Sequence, residues 1–343
     1  MSYEGVLDSF GAIIESDLRD IFSISEKLGN DYHPHIGQII ESIEEFVLRG
    51  GRRLAACSTL IAYRGYRGKI DDRIVRVCSG IELYRHAILI HDDIADKDML
   101  RRGGETLQKA LGKQDEHLGL GSALFAGNIV YSMSLQAVLD SGYDHQKTRQ
   151  VAKLLAAEYM NVNESQILDL FFEYREPGVA EWEVMVSKRA ASLFRAAMLA
   201  GAILASASDR EITLLGDAAK HIGFAFDIQD DIIDTFATRE QYGRDPCGDI
   251  SKGKKPLHIA IALQRDKRLA SFMQKKRDFS VKEIGDIQDL IRDCGALETA
   301  KVLSRSHARE AERLISETLM NEEDKAFFIS FIKYIDESLE WYK

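Results

Sequence analysis

The sequence predicts an all-α fold, and three observations carry the prediction. Apolar residues recur at three- and four-residue spacing along nearly the whole chain. Strand-like alternation is nowhere sustained. Only four prolines occur, Pro34, Pro177, Pro246 and Pro256, so nothing between the first two breaks a helix by proline chemistry.

The elements follow in order. The N-terminal MSYEGVLDSFGAIIESDLRDI carries acids and no continuous apolar stretch, which excludes a signal peptide. In IGQIIESIEEFVL, Ile36, Ile39, Ile40, Ile43, Phe46 and Val47 line one helical face. Further helices are predicted at about 52–65, 71–98, 117–140, 145–173, 180–206, 210–236, 256–276, 281–294, 296–318 and 322–341. Glycine and proline punctuation falls between them at Gly50-Gly51, Gly65 to Gly68, Gly103-Gly104, Gly142 and Pro177-Gly178. The long polar stretch 237–256 has the length of a functional loop. No linker or low-complexity segment divides the chain, so one all-α domain over 1–343 is expected.

Composition narrows the function. A net charge of −10 argues against nucleic-acid binding, which needs a basic footprint. Cys57, Cys78, Cys247 and Cys294 form neither a zinc spacing nor a disulfide framework. No run of about eighteen apolar residues is present, so no membrane-spanning helix is expected. These features together lead to the expectation of a soluble cytoplasmic protein.

Chemistry gathers in two repeated motifs. HDDIAD and DIQDDIID each contain DDxxD within or at the end of an apolar helical segment. Residues four apart share a helix face, so Asp92 aligns with Asp96, and Asp230 with Asp234. Asp93 and Asp231 lie about 100° round from their neighbours. Like charges so close repel, and burial raises the cost. A hard divalent cation offsets it, and magnesium suits one or two carboxylates plus substrate phosphates. Basic residues accompany the motifs: Arg101 and Arg102 after the first, Lys188 and Arg189 in VSKRAASLF, and Arg244, Lys252, Lys254 and Lys255 after the second. Acids, bases and a metal with an apolar helical lining point to a diphosphate with a greasy tail.

With these motifs the chain resembles the all-trans prenyl diphosphate synthases, the polyprenyl synthetase family. GGRRL, HDDIADKDMLRRG, SQILDL, SKRAASLF, FDIQDDIIDTF and GRDPCGDISKGKKPL occur in that family's order. The resemblance implies a helical bundle around a deep central cavity, the isoprenoid synthase type, usually in a homodimer. It implies three magnesium ions, with Asp92 and Asp96 as ligands in the first motif and Asp230 in the second, Asp234 acting through water. Asp93 and Asp231 would be supporting acids. Arg101, Lys188 and Lys254 would contact the allylic diphosphate, and Gln166 would lie near the reacting prenyl group with Asp169 close by. Arg102 would hold isopentenyl diphosphate. The allylic C–O bond would ionise, isopentenyl diphosphate would attack the cation, and the proton would leave with diphosphate.

The sequence departs from the family pattern in the acceptor half. The usual GGKxxR is GGRRLA, with Arg52 at the lysine position and Ala55 at the arginine position. The usual histidine, seven before Asp92, is Arg85, with His86 beside it. Arg189 stands for a threonine, and Asp227 for a glutamine. Arg52, Arg53, Arg85 and Arg102 keep positive charge for a diphosphate. A cyclase, a prenyltransferase with another acceptor, or a subunit of a heteromer therefore stand as alternatives. On the helix before the first motif, Ile88, Ala87 and Tyr84 lie four, five and eight residues before Asp92. Small Ala87 leaves its level open and Tyr84 makes a deeper floor, which predicts a product of geranylgeranyl length or somewhat longer. An HD-type phosphohydrolase would use His91-Asp92, but it needs further histidines at metal-binding positions, and none form an evident set.

Overall fold

A computed structural model of the protein describes residues 3–67, 69–238, 246–273 and 279–341. Its helices are α1 (Tyr3–Tyr32), α2 (Pro34–Leu48), α3 (Leu54–Arg67), α4 (Asp72–Ala95), α5 (Leu107–Leu111), α6 (Glu116–Leu139), α7 (His145–Phe172), α8 (Val179–Leu204) and α9 (Asp209–Phe236). They continue with α10 (Gly248–Lys252), α11 (Leu257–Arg265), α12 (Arg268–Met273), α13 (Val281–Asp293), α14 (Ala296–Glu317) and α15 (Glu322–Ser338), closed by a 3-10 turn, Leu339–Trp341. The only described strands, β1 (Leu100–Arg101) and β2 (Gly104–Glu105), form an antiparallel hairpin. The expected all-α class holds.

One local expectation is corrected, and two elements join those expected. The N-terminal segment is a 30-residue helix, α1, which buries Leu7, Ile14, Leu18 and Phe22 on one face. The stretch 256–276 breaks at Asp266, whose carboxylate accepts the Arg268 backbone N–H at 2.9 Å and starts a new helix. The hairpin after α4 has two residues per strand, too few to show alternation.

The chain divides into two compact units. The first comprises Met1–Tyr159, Ala196–Ile212 and Leu319–Phe327. Its centre is α4, started by Asp71, whose carboxylate accepts the Ile74 N–H at 3.1 Å. Ile74, Val77, Cys78, Ile81, Tyr84, Ala87 and Ile90 of α4 are buried. Gly80 lets α6 approach, since a Cβ there would lie 3.0 Å from the Ser134 carbonyl. Arg64 of α3 holds Asp324 at the start of α15.

Helix α6 needs separate mention. It is the one described helix long and apolar enough, by length and composition, to cross a bilayer, although it holds no unbroken apolar run. Ala123, Ala126, Val130 and Ala137 are buried within the unit, while Leu120, Leu124 and Phe125 are exposed.

The second unit comprises Met160–Arg195, Thr213–Thr318 and Phe328–Lys343. Trp182, Met185, Ile228, Ile232, Phe236, Leu257, Ile259, Ile287 and Ile291 form its core. A Cβ on Gly223 of α9 would lie 2.0 Å from the Ala190 carbonyl, so only glycine permits this approach to α8. Within this core His258 is fully buried, with Nε2 2.8 Å from the Thr235 hydroxyl. Burial pushes its imidazole down to about 3. The folded state keeps the ring neutral, so the unfolded chain takes up the proton first. This contribution is full above the unfolded value near 6.5 and is lost as pH falls towards 3. Between pH 7 and pH 5 it amounts to about 2 kcal/mol. Urea unfolding of His258→Gln should show a pH 7-to-5 loss smaller than the native protein's by that amount; an equal loss would refute the assignment.

Candidate active site: two aspartate motifs with arginine counter-ions

Both aspartate motifs end helices. Asp92 and Asp93 lie in the last turn of α4, and Asp96 caps it, its N–H still bonded to the Asp92 carbonyl at 2.8 Å. Asp230, Asp231 and Asp234 lie in the last two turns of α9. A helix C-terminus carries partial negative charge, so carboxylates are disfavoured there. Each motif is met by an arginine.

In the first unit that arginine is Arg101 of β1. Its Nε donates to Asp93 Oδ1 at 2.8 Å, and its guanidinium lies 3.4 Å from Asp92 and 3.6 Å from Asp98. Asp93 is fully buried; burial pushes its carboxyl up to about 6, with Arg101 opposing. The Gln108 amide holds the turn by donating to the carbonyls of Asp93 and Asp98 at 2.9 and 2.8 Å.

The hairpin also joins the two glycine pairs. Arg102 NH1 donates to the Gly50 carbonyl at 2.6 Å, and Arg49 NH1 to the carbonyls of Arg101 and Glu105 at 3.0 and 2.8 Å. A Cβ on Gly51 would meet the Arg102 guanidinium at 2.9 Å, and one on Gly104 would meet that of Arg49 at 2.3 Å. Gly51 also has a φ of +123°, a conformation that favours glycine.

Behind Arg102 lies a buried basic group around one acid. Glu82 is wholly buried, within 3.3 Å of Arg53, 3.5 Å of His86 and 3.7 Å of Arg85. Burial works against its charge, yet His86, Arg85, Arg53 and Arg102 together hold it below the usual carboxylate range. Burial, then Arg85, brings Arg102 down to about 10, and burial takes His86 to about 3. Arg53 is 1% exposed and also donates to the Val47 carbonyl at 2.6 Å and to Glu15 at 3.1 Å. It therefore braces Glu82 and shows almost no surface to solvent. Arg52 is half exposed and pairs with Glu4 at 2.7 Å; Ala55 is buried.

On α4, Tyr84 and Ala87 are buried and Ile88 is half-buried. Tyr84 sits in an aromatic cluster, 5.9 Å from Tyr159 and 6.4 Å from Tyr131, which stack on each other at 4.0 Å. Its hydroxyl has no hydrogen-bond partner among the described residues. His91 contacts the Tyr159 hydroxyl at 2.9 Å and the Leu124 carbonyl at 3.2 Å, so both ring nitrogens are engaged.

In the second unit the counter-ion is Arg189 of α8. Its Nε and NH2 donate to the two oxygens of Asp227 at 3.0 and 2.8 Å. Asp169 lies at 3.3 Å and Asp231 at 3.8 Å. Burial opposes the guanidinium charge, but Asp227, Asp169 and Asp231 outweigh it and keep it protonated. Arg189 does not balance its acids fully: burial, then Asp227, pushes Asp231 well above the carboxylate range despite Arg189. Lys254 reaches Asp169 at 3.5 Å, and Lys188 pairs with Glu164 near the surface. Gln166 lies one helical turn before Asp169 on α7. Asp230 is exposed. Asp234 is 2% exposed, and one of its oxygens accepts the Asp249 N–H at 3.0 Å at the start of α10. Lys255 is buried and donates to the Phe172 carbonyl at 2.9 Å, which closes the end of α7. Arg244 lies outside the described residues. The contacts of Arg189 and Glu82 were missed by sequence reasoning; the available signal was the paired change at Arg189 and Asp227.

The family model "Polyprenyl synthetase" matches residues 37–292. A short chain isoprenyl diphosphate synthase of Methanothermobacter thermautotrophicus is 31% identical over 80% of this chain and 83% of its own. A geranylfarnesyl diphosphate synthase of Aeropyrum pernix is 27% identical over 85% of this chain and 91% of its own. A geranylgeranyl pyrophosphate synthase from Corynebacterium glutamicum, solved with isoprenyl diphosphate and magnesium, shares the fold with a TM-score of 0.90 at 22% identity, over 96% and 99% of the two chains. The chain belongs to the polyprenyl synthetase family. It is a prenyltransferase of isoprenoid biosynthesis, a class that uses allylic and isopentenyl diphosphates.

Proposed function

We propose that the protein condenses an allylic diphosphate with isopentenyl diphosphate to an all-trans prenyl diphosphate of geranylgeranyl length or somewhat longer. The observation that carries this is the pair of DDxxD motifs, each at a helix C-terminus and each already drawing an arginine. The names of similar proteins support the length, among them the geranylfarnesyl diphosphate synthase of Aeropyrum pernix.

The donor set fits magnesium. Its ligands would be the hard carboxylate oxygens that each motif gathers within five residues. Magnesium takes one or two carboxylates and completes its shell with phosphate oxygens. Asp92, Asp96 and Asp230 would bind directly and Asp234 through water; three ions are the family expectation. When bound, magnesium supplies positive charge to the diphosphate as it leaves. We take the chain as one prenyl diphosphate synthase domain over 1–343, and the family model over residues 37–292 takes in parts of both units.

Around that ion the chain's own residues divide the work. Arg101, Lys188 and Lys254 bind the allylic diphosphate and stabilise its growing charge. Arg52, Arg85 and Arg102 bind isopentenyl diphosphate, with Arg53 and Glu82 as their support. Gln166 and Asp169 lie beside the reacting prenyl group. No protein nucleophile is needed: the C–O bond ionises, the isopentenyl double bond attacks, and the lost proton leaves with diphosphate. The prenyl chain grows along Ile88 and Ala87 towards Tyr84, eight residues or about 12 Å of helix from Asp92. Tyr84→Ala should lengthen the product by at least one isoprene unit in chromatography; an unchanged length would remove Tyr84 as the floor.

We infer a homodimer through the exposed face of α6, where Leu120, Leu124 and Phe125 leave apolar surface open. Light scattering on Phe125→Glu should give a monomer where the native protein gives a dimer; an unchanged dimer would move the interface elsewhere. The function itself is tested with magnesium, labelled isopentenyl diphosphate and dimethylallyl, geranyl or farnesyl diphosphate. Extension of a primer supports it. Diphosphate release without isopentenyl uptake would favour a cyclase or another acceptor, and no turnover without an added partner chain would favour a heteromer.

A further inference from the structure

Arg189 is the feature of the second unit that the reaction scheme leaves without a task. Its guanidinium is held by both oxygens of Asp227 and faces Asp169 and Asp231. One oxygen of Asp231 is buried and accepts no hydrogen bond among the described residues, and a guanidinium nitrogen lies 3.8 Å from this carboxylate. Three carboxylates that could attract a divalent ion are thus drawn to one fixed cation. A bidentate guanidinium is also hard to displace, because it leaves only if both hydrogen bonds break.

We propose that Arg189 is a positioning residue that keeps Asp227 and Asp231 from taking a divalent cation on their own, so that the second motif binds metal only together with a substrate diphosphate. The proposal rests on the magnesium-dependent reading of this motif. Asp230, exposed one helical turn from Asp227, remains to share an ion with phosphate oxygens. Ordered loading follows: metal without substrate finds the acids engaged, and diphosphate supplies the missing ligands. The paired presence of Arg189 and Asp227 fits this role, since each neutralises the other inside the protein.

The test is Mn2+ binding followed by the electron paramagnetic resonance signal of the free ion, with and without inorganic pyrophosphate. Without pyrophosphate, Arg189→Gln should bind Mn2+ about tenfold more tightly than the native protein. The charge-neutral pair Arg189→Gln/Asp227→Gln, which removes both ends of the bidentate contact together, should do the same. Asp227→Gln alone keeps the guanidinium and should stay at the native level. A folded double variant with native Mn2+ affinity would overturn the proposal. A merely structural arginine would lower the melting temperature without moving this affinity. Failure of the magnesium reading is a separate result: native protein would then take up no Mn2+ even with pyrophosphate.

Discussion

Asp92→Asn should lower the rate of allylic diphosphate ionisation by about 10³-fold, the size of loss seen when one preorganised electrostatic contact is removed. The substitution is isosteric and sits where the side chain is partly open to solvent. Arg101 keeps its stronger contact with Asp93, so the hairpin stays in place. Stability should therefore change by no more than about 0.5 kcal/mol. Asp230→Asn, exposed at the end of α9, should show the same separation of activity from stability. Rapid-quench measurement of diphosphate release at saturating magnesium checks both, with urea unfolding as control. A variant within tenfold of the native rate would remove that aspartate from the machinery.

Arg53→Leu should have the opposite signature, a loss of about 3–5 kcal/mol in stability. Both side chains of the Arg53–Glu82 pair are shielded from water. Removing the arginine leaves a buried carboxylate with less compensation and strands the Val47 carbonyl that it also binds. Glu82 in turn is the common partner of Arg53, Arg85 and His86, so the damage reaches the acceptor half of the site. Arg53→Leu/Glu82→Leu should recover part of the loss, because a buried ion pair replaced whole by apolar groups costs little. Urea unfolding decides the matter: a single-variant loss under about 1 kcal/mol would mean that the pair is not structural.

The sequence made the chemistry of the acidic motifs legible because helical spacing alone aligns Asp92 with Asp96 and Asp230 with Asp234. It placed α4, α6, α7, α8 and α9 because long helix-compatible apolar stretches are set off by turn residues such as Gly103, Gly142 and Pro177-Gly178. Helix α1 was harder, because exposed Ile13, Ile24 and Leu28 lie off the face made by Leu7, Ile14, Leu18 and Phe22 and blur it. The break at Asp266 has no glycine or proline to announce it. Least legible were the charge partners. The sequence does not separate the environments of Arg53, Arg101 and Arg189, and only packing shows which is wholly buried and which meets an aspartate motif. Asp234 aligns with Asp230 in sequence, but nothing local foretells that it would be turned to the start of α10.

The central claim is that this chain still joins isopentenyl diphosphate to the allylic cation despite Arg52, Ala55 and Arg85. The direct measurement is the ratio of isopentenyl label incorporated to diphosphate released from farnesyl diphosphate with magnesium. Condensation predicts about one label per diphosphate, because each bond formed releases one leaving group. Diphosphate released with no label incorporated would contradict the account.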